Sequence, residues 1–142
     1  MLVVLDSNLF FSALISPHGS PALCYRAWRE RRYELATCPE QIEEIRRASR
    51  HSHLRTIVEP HEVGEMLNNI GRAKSFTPLP RRHQAEDPTD SYLLNLAEVS
   101  GAHYLVTGDK QSGLLQRKRI GTASIVTAAV FCDQVLRISR PS

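Results

Sequence analysis

The sequence predicts an α/β fold in three layers, with a central, mostly parallel sheet of four to five strands flanked by helices. Three observations predict it. Short apolar, β-branched-rich runs alternate along the chain with longer segments of helical period. Two of those runs, Leu2 to Leu5 and Tyr104 to Val106, are followed at once by polar or turn-forming residues, as buried parallel strands are. The longer segments open on caps or prolines and carry an apolar face that a sheet can cover.

The elements follow in order. Leu2 to Leu5 is the first strand, and Asn8 to Ile15 is nearly continuous in apolarity, which suits a short helix buried against the sheet. Ser16 to Ser20 breaks it. Ser20-Pro21 reads as a cap and first-turn pair opening a helix that closes in the basic run Arg29 to Arg32, and Tyr33 to Ala36 reads as a second strand. Thr37-Cys38-Pro39-Glu40 starts a helix with Ile42 and Ile45 on one face and Glu43, Glu44, Arg46 and Arg47 around it. His51 to Val58 has no clear period. A further helix begins near His61 and carries Val63, Met66, Leu67 and Ile70, and Phe76 to Leu79 reads as a short edge strand. The stretch Arg81 to Thr89 is a polar loop, and from Asp90 the residues Leu93, Leu94, Leu96 and Ala97 give a core-facing helix ended by Gly101. After the strand through Val106 come the Asp109 loop, a brief helix, a last strand Ala123 to Val126, and a final helix capped by Thr127.

A chain of 142 residues has room for one domain, here residues 1–142. With 42% hydrophobic and 23% charged residues it can bury a core, and neither disorder nor a fibrous class is favoured. No apolar stretch approaches the roughly 18 to 20 residues that span a bilayer, and an aspartate arrives after five residues, so neither a membrane segment nor a leader is expected. Cys24, Cys38 and Cys132 are odd in number and far apart, which points to buried, reduced thiols and a cytoplasmic location. The net charge of +3 permits a polyanionic partner without requiring one.

The chemistry-bearing residues are acids. Asp6 and Asp109 each follow a strand at the end where open α/β sheets bind ligands, and carboxylates delivered to one rim repel each other unless a cation stands between them. An acid of the Glu43-Glu44 pair and Asp90 complete the candidate set. Both Glu43 and Glu44 flank the apolar face of their helix, so periodicity leaves the choice open. Asp90 at a helix start has the ordinary reading of a cap, and Asp87 that of a turn residue ahead of Pro88. No G-x-S-x-G, P-loop or G-x-G-x-x-G is present, and His51-Ser52-His53 lacks a third ligand for a transition metal.

The motifs Val4-Leu5-Asp6-Ser7-Asn8, Cys38-Pro39-Glu40-Gln41-Ile42-Glu43-Glu44-Ile45, Asp87-Pro88-Thr89-Asp90 and Tyr104-Leu105-Val106-Thr107-Gly108-Asp109-Lys110 resemble, in order and over nearly the whole chain, those of PIN-domain proteins. The similarity is closest to bacterial PIN-family toxin components of toxin–antitoxin systems. That resemblance implies a PIN-like sandwich and an Mg²⁺- or Mn²⁺-dependent ribonuclease whose catalytic and metal residues are Asp6, Glu44, Asp90 and Asp109. It selects Glu44 because that acid directly precedes Ile45. Asn8 and Thr107 match supporting polar positions, and Asp87 stands as an outer-shell acid. The resemblance also implies an antitoxin protein as partner and pairing of copies through helices. Ser7 replaces a usual threonine and keeps the hydroxyl, whereas Gln111 and Ser112 stand where many relatives place a further aspartate.

Hard oxygen ligands suit these ions, and a metal-activated water would cleave the RNA phosphodiester. Arg81, Arg82 and Lys110 are the candidate RNA contacts, because their loops flank the proposed acids. Two other classes compete. A PIN fold with weakened metal binding would be an RNA- or protein-binding module. A phosphoacceptor or phosphatase domain could also use Asp6, Thr107 and Lys110, but it needs an acid after the Tyr33 to Ala36 strand or at position 8, and neither is present.

Overall fold

A computed structural model of the chain describes residues 1–108 and 113–138. Six strands, β1 (Leu2–Leu5), β2 (Glu34–Thr37), β3 (Lys74–Ser75), β4 (Tyr104–Thr107), β5 (Arg119–Ile120) and β6 (Ala123–Thr127), form one sheet in the order β3-β2-β1-β4-β6-β5. All neighbours run parallel except β5, which pairs antiparallel with β6. The helices are α1 (Ser7–Ile15), α2 (Ser20–Arg29), α3 (Pro39–Ser49), α4 (Ser52–Arg55), α5 (Pro60–Gly71), α6 (Ser91–Ser100), α7 (Leu114–Arg117) and α8 (Ala128–Val130), the last running into a π-helical turn, Phe131–Leu136.

All four residues of β1 are buried because helices cover both faces of the sheet. Strand alternation sorts them: Val3 and Leu5 pack with Phe10, Trp28, Ile45, Met66 and Phe131, while Leu2 and Val4 pack with Leu93, Leu94, Leu105 and Ile125. The first group joins the sheet to α1, α2, α3, α5 and the C-terminal turn, and the second joins it to α6 and, through Leu114, to α7. These are the three layers that the sequence predicts. All three cysteines are free and buried, with Cys24 Sγ and Cys132 Sγ 3.5 Å apart. Among the described residues no helix is long and apolar enough to cross a membrane.

Several boundaries differ from the sequence reading for identifiable reasons. The edge strand lies at Lys74–Ser75 rather than Phe76 to Leu79, because Pro78 and Pro80 have no N–H to give a ladder; Phe76 N still donates to Thr37 O at 2.9 Å. Gly19, not Ser20, occupies the N-cap of α2, and Ser20 turns into the protein. Strand β2 begins after Tyr33, whose hydroxyl donates to Cys24 O at 2.6 Å. Gly101 ends α6 with φ of 67°, and Thr127 Oγ1 caps the last helix by accepting from Val130 N at 3.1 Å.

Candidate active site

Strand β1 pairs with β2 on one side and β4 on the other, so the chain's winding reverses between β1 and β4. Crevices at such reversals, beyond the carboxyl ends of the strands, are where open α/β sheets bind ligands. Asp6 stands there. Leu5 is in register with Val106, and Asp6 N donates to Val106 O at 2.8 Å, extending the ladder one residue past the strand. The Asp6 carboxylate is 3% exposed, yet it is built as an acceptor: Oδ1 takes Asn8 N at 3.2 Å as the N-cap of α1, and Oδ2 takes Thr107 Oγ1 at 3.0 Å. Both contacts favour the anion. The chain can turn this closely after β4 because residue 108 is glycine; a Cβ there would press to 2.9 Å from Leu9 Cδ2.

Glu44 reaches the same place from α3. Burial pushes its pKa up and the Asp6 carboxylate raises it further, while the hydroxyls of Tyr92 and Ser7, and then Arg47, oppose the rise. Its neighbour Glu43 is exposed and pairs with Arg46 at 3.6 Å, so the helix turns one acid of the pair to solvent and the other towards Asp6. Ser7 Oγ and Tyr92 Oη are hydrogen-bonded to each other, tying α1 to α6. The Tyr92 hydroxyl is itself held protonated, first by burial and then by the charge of Glu44. Under this layer lies a buried amide: Gln41 Nε2 donates to Leu5 O at 2.7 Å, and Gln41 Oε1 accepts from Thr37 Oγ1 at 2.6 Å. That bridge fixes the start of α3 to the ends of β1 and β2, and with it the direction in which Glu44 projects.

The other predicted residues divide. Asp90 ends a 3-10 turn, Pro88–Asp90, and is half-buried ahead of α6; its side chain makes no cap hydrogen bond to that helix, so the ordinary cap reading is not realised. Among the described residues, which leave out Asp109, no group of three or more His, Cys, Asp or Glu side chains could hold a metal ion. Asp87 is exposed and occupied locally, with Oδ1 accepting from Thr89 N at 3.0 Å and Thr89 Oγ1 at 2.8 Å, which holds its carboxyl below the usual range. Asn8 contributes its backbone N–H to Asp6, while its residue as a whole is exposed. Arg82 lies 3.6 Å from Glu98, and the exposed Arg81 makes no such pair among the described residues. Asp109 and Lys110 lie outside the described residues.

Sequence reasoning missed three contributors. Tyr92 and Gln41 have no role in the sequence reading, and Ser7 stands there as a substitute for threonine that keeps the hydroxyl. Only the polar character of Gln41 beside the buried Ile45 face hinted at a specific partner.

Asp6 and Glu44 offer hard carboxylate oxygens beside hydroxyl groups, and the charge of Asp6 already disfavours the anion of Glu44. Such a donor set fits a divalent cation of the Mg²⁺ or Mn²⁺ type, which takes one or two protein carboxylates and keeps waters for its other positions. A family model described as PIN domain matches residues 2–111, which includes Asp6, Glu44, Asp90 and Asp109. No curated protein and no solved structure matches the chain.

Proposed function

The chain belongs to the PIN domain family, and from that premise we propose that it is a metal-dependent endoribonuclease, the toxin component of a type II toxin–antitoxin system. PIN domains are generally nucleases and typically use divalent metals. The observation that carries the reading is the meeting of Asp6 and Glu44 at the reversal of the sheet, where one acid raises the pKa of the other. Bound Mg²⁺ or Mn²⁺ would supply the positive charge that acidifies a water and offsets the phosphate. The chain's own residues do the rest. Thr107 Oγ1 and Asn8 N hold and aim the Asp6 carboxylate, and the Tyr92 and Ser7 hydroxyls favour the anion of Glu44. Asp90 and Asp109 complete the acid set in this proposal, and Arg81, Arg82 and Lys110 hold the RNA backbone. An antitoxin protein, a second copy of the chain and a cytoplasmic setting belong to the same proposal.

A second reading rests on a specific observation. Because Gln111 and Ser112 stand where many relatives place a further aspartate, the fold can serve as an RNA- or protein-binding module with weakened catalysis. Cleavage of a single-stranded RNA with and without Mn²⁺ separates the two. The nuclease reading expects cleavage that EDTA stops and that Asp6→Asn and Asp109→Asn each abolish; metal-independent cleavage, or none by the wild type, sinks it.

A further inference from the structure

Next to the acid pair lies a half-open cavity of about 450 Å³, walled by Leu79, Pro80, Arg81, Gln84, Tyr92 and, from the first turn of α3, Glu40. Its wall is held in place by the core. Asn95 is 4% exposed and spends its amide on the 81–85 loop, with Oδ1 accepting from Arg82 N and His83 N at 3.0 Å each and Nδ2 donating to His83 O and Ser91 O. Ser91 Oγ takes Ala85 N at 3.0 Å as well. Asn95 therefore has nothing left for a ligand. His83 is turned to Glu98, Nε2 lying 3.0 Å from Oε2 though off the hydrogen-bond line. The polar groups remaining at the cavity are the side chains of Glu40, Gln84 and Arg81, and among the described residues none of the three is engaged in a side-chain hydrogen bond or ion pair.

Resting on the nuclease reading above, we infer that this cavity receives one base of single-stranded RNA, with guanine preferred. The volume lies within the range of small-ligand sites, and the apolar walls suit the faces of an unstacked base. A carboxylate accepts but cannot donate. Guanine offers it two adjacent donors, N1–H and the N2 amino group, whereas uracil offers one N–H between two carbonyl oxygens that repel an anion. Glu40 supplies that carboxylate, and Arg81 on the facing loop suits the neighbouring phosphate. Tyr92 borders the cavity and also holds Glu44, so a base seated here would bring its own backbone to the acids.

The test is binding of fluorescein-labelled oligouridylate, with and without one central guanosine, to the full chain in EDTA, followed by anisotropy. The guanosine strand should bind about tenfold more tightly, the value of one good paired hydrogen-bond contact. Glu40→Gln and Gln84→Trp should each erase that difference, with unchanged thermal melting showing that the fold is intact. Arg81→Ala should weaken both strands alike. Equal affinity of the two strands for the wild type overturns the inference, and so does a guanosine preference that survives both Glu40→Gln and Gln84→Trp. Competition by free guanosine monophosphate as strong as by the RNA strand would assign the cavity to a free nucleotide and overturn it too. Because binding is read without metal, these outcomes are separate from loss of Mn²⁺-dependent cleavage, which would sink the nuclease reading instead.

Discussion

Replacing Asp6 by asparagine and Glu44 by glutamine, singly and together, measures the repulsion on which a cation site depends. Two like charges about 6 Å apart, within the range over which carboxylates perturb each other, repel by about 1.4 to 2.8 kcal/mol at an effective dielectric of about 20 to 40. Glu44 is only half-buried, so screening by solvent brings this to about 1 kcal/mol. Single substitutions alone would mislead. An asparagine at position 6 keeps one acceptor for Asn8 N but must turn its amide nitrogen towards Thr107 Oγ1, exchanging a charged cap for a neutral one. The double-mutant cycle cancels that cost and leaves the pairwise term. Urea denaturation in EDTA at pH 7 should show an unfavourable coupling of about 1 kcal/mol between the two carboxylates, and the same cycle near pH 3, where protonation of Glu44 removes one of the two charges, should show less. The sign follows from the direction of the Glu44 shift. A carboxyl whose pKa is raised in the folded state stabilises most fully below its unfolded value, and that stability is lost as pH rises through the folded value. A coupling within about 0.3 kcal/mol of zero at pH 7, or one of equal size at pH 3, would refute the reasoning.

Tyr92→Phe should lower stability by about 1 kcal/mol through the lost bond to Ser7 and should move Glu44 ionisation to higher pH, because the hydroxyl that favours the anion is gone; urea melts and carboxyl NMR titration measure the two effects. Asn95→Ala should cost about 2 to 4 kcal/mol and speed amide exchange at Arg82 and His83, whose N–H groups lose their acceptor. Burial pushes the Cys38 thiol up to about 12, so at pH 7.5 the native protein should leave it unmodified by an aromatic disulfide reagent while the urea-unfolded chain reacts at once; mass spectrometry of the labelled peptides decides it.

The parts of the fold legible in the sequence are those with a long-range requirement written into them. β1 and the Leu105-Val106 centre of β4 are buried on both faces and so are apolar, and the polar residues at the strand ends, Asp6 and Thr107, mark the rim. Helix α6 carries both its face and its glycine stop. What escaped is short or decided by partners. β5 is two residues long, too brief for any period, and exists because it pairs with β6. The edge strand moved off Phe76 to Leu79 because hydrogen bonding, not apolarity, defines a strand. The π-helical turn at Phe131–Leu136 has no signature in its apolar spacing.

The site follows the same division. Asp6 was legible from its place at a strand end and Thr107 from the family resemblance, and their contact follows from the register of β1 against β4. Glu44 was separable from Glu43 by resemblance alone, since both flank the apolar face; the side-chain partners, Arg46 for one and Tyr92 with Ser7 for the other, make the difference in space. Asp90 looks like a cap in sequence, yet its side chain makes no cap hydrogen bond to α6, which nothing in the order of residues conveys.

Titration of the metal-free chain with Mn²⁺ by calorimetry, for the wild type, Asp6→Asn and Glu44→Gln, tests the central claim most directly. The account predicts saturable binding by the wild type and at least about tenfold weaker binding by each variant, since both carboxylates face the same cation. Equal binding by all three, or no binding by the wild type up to millimolar Mn²⁺, would contradict it.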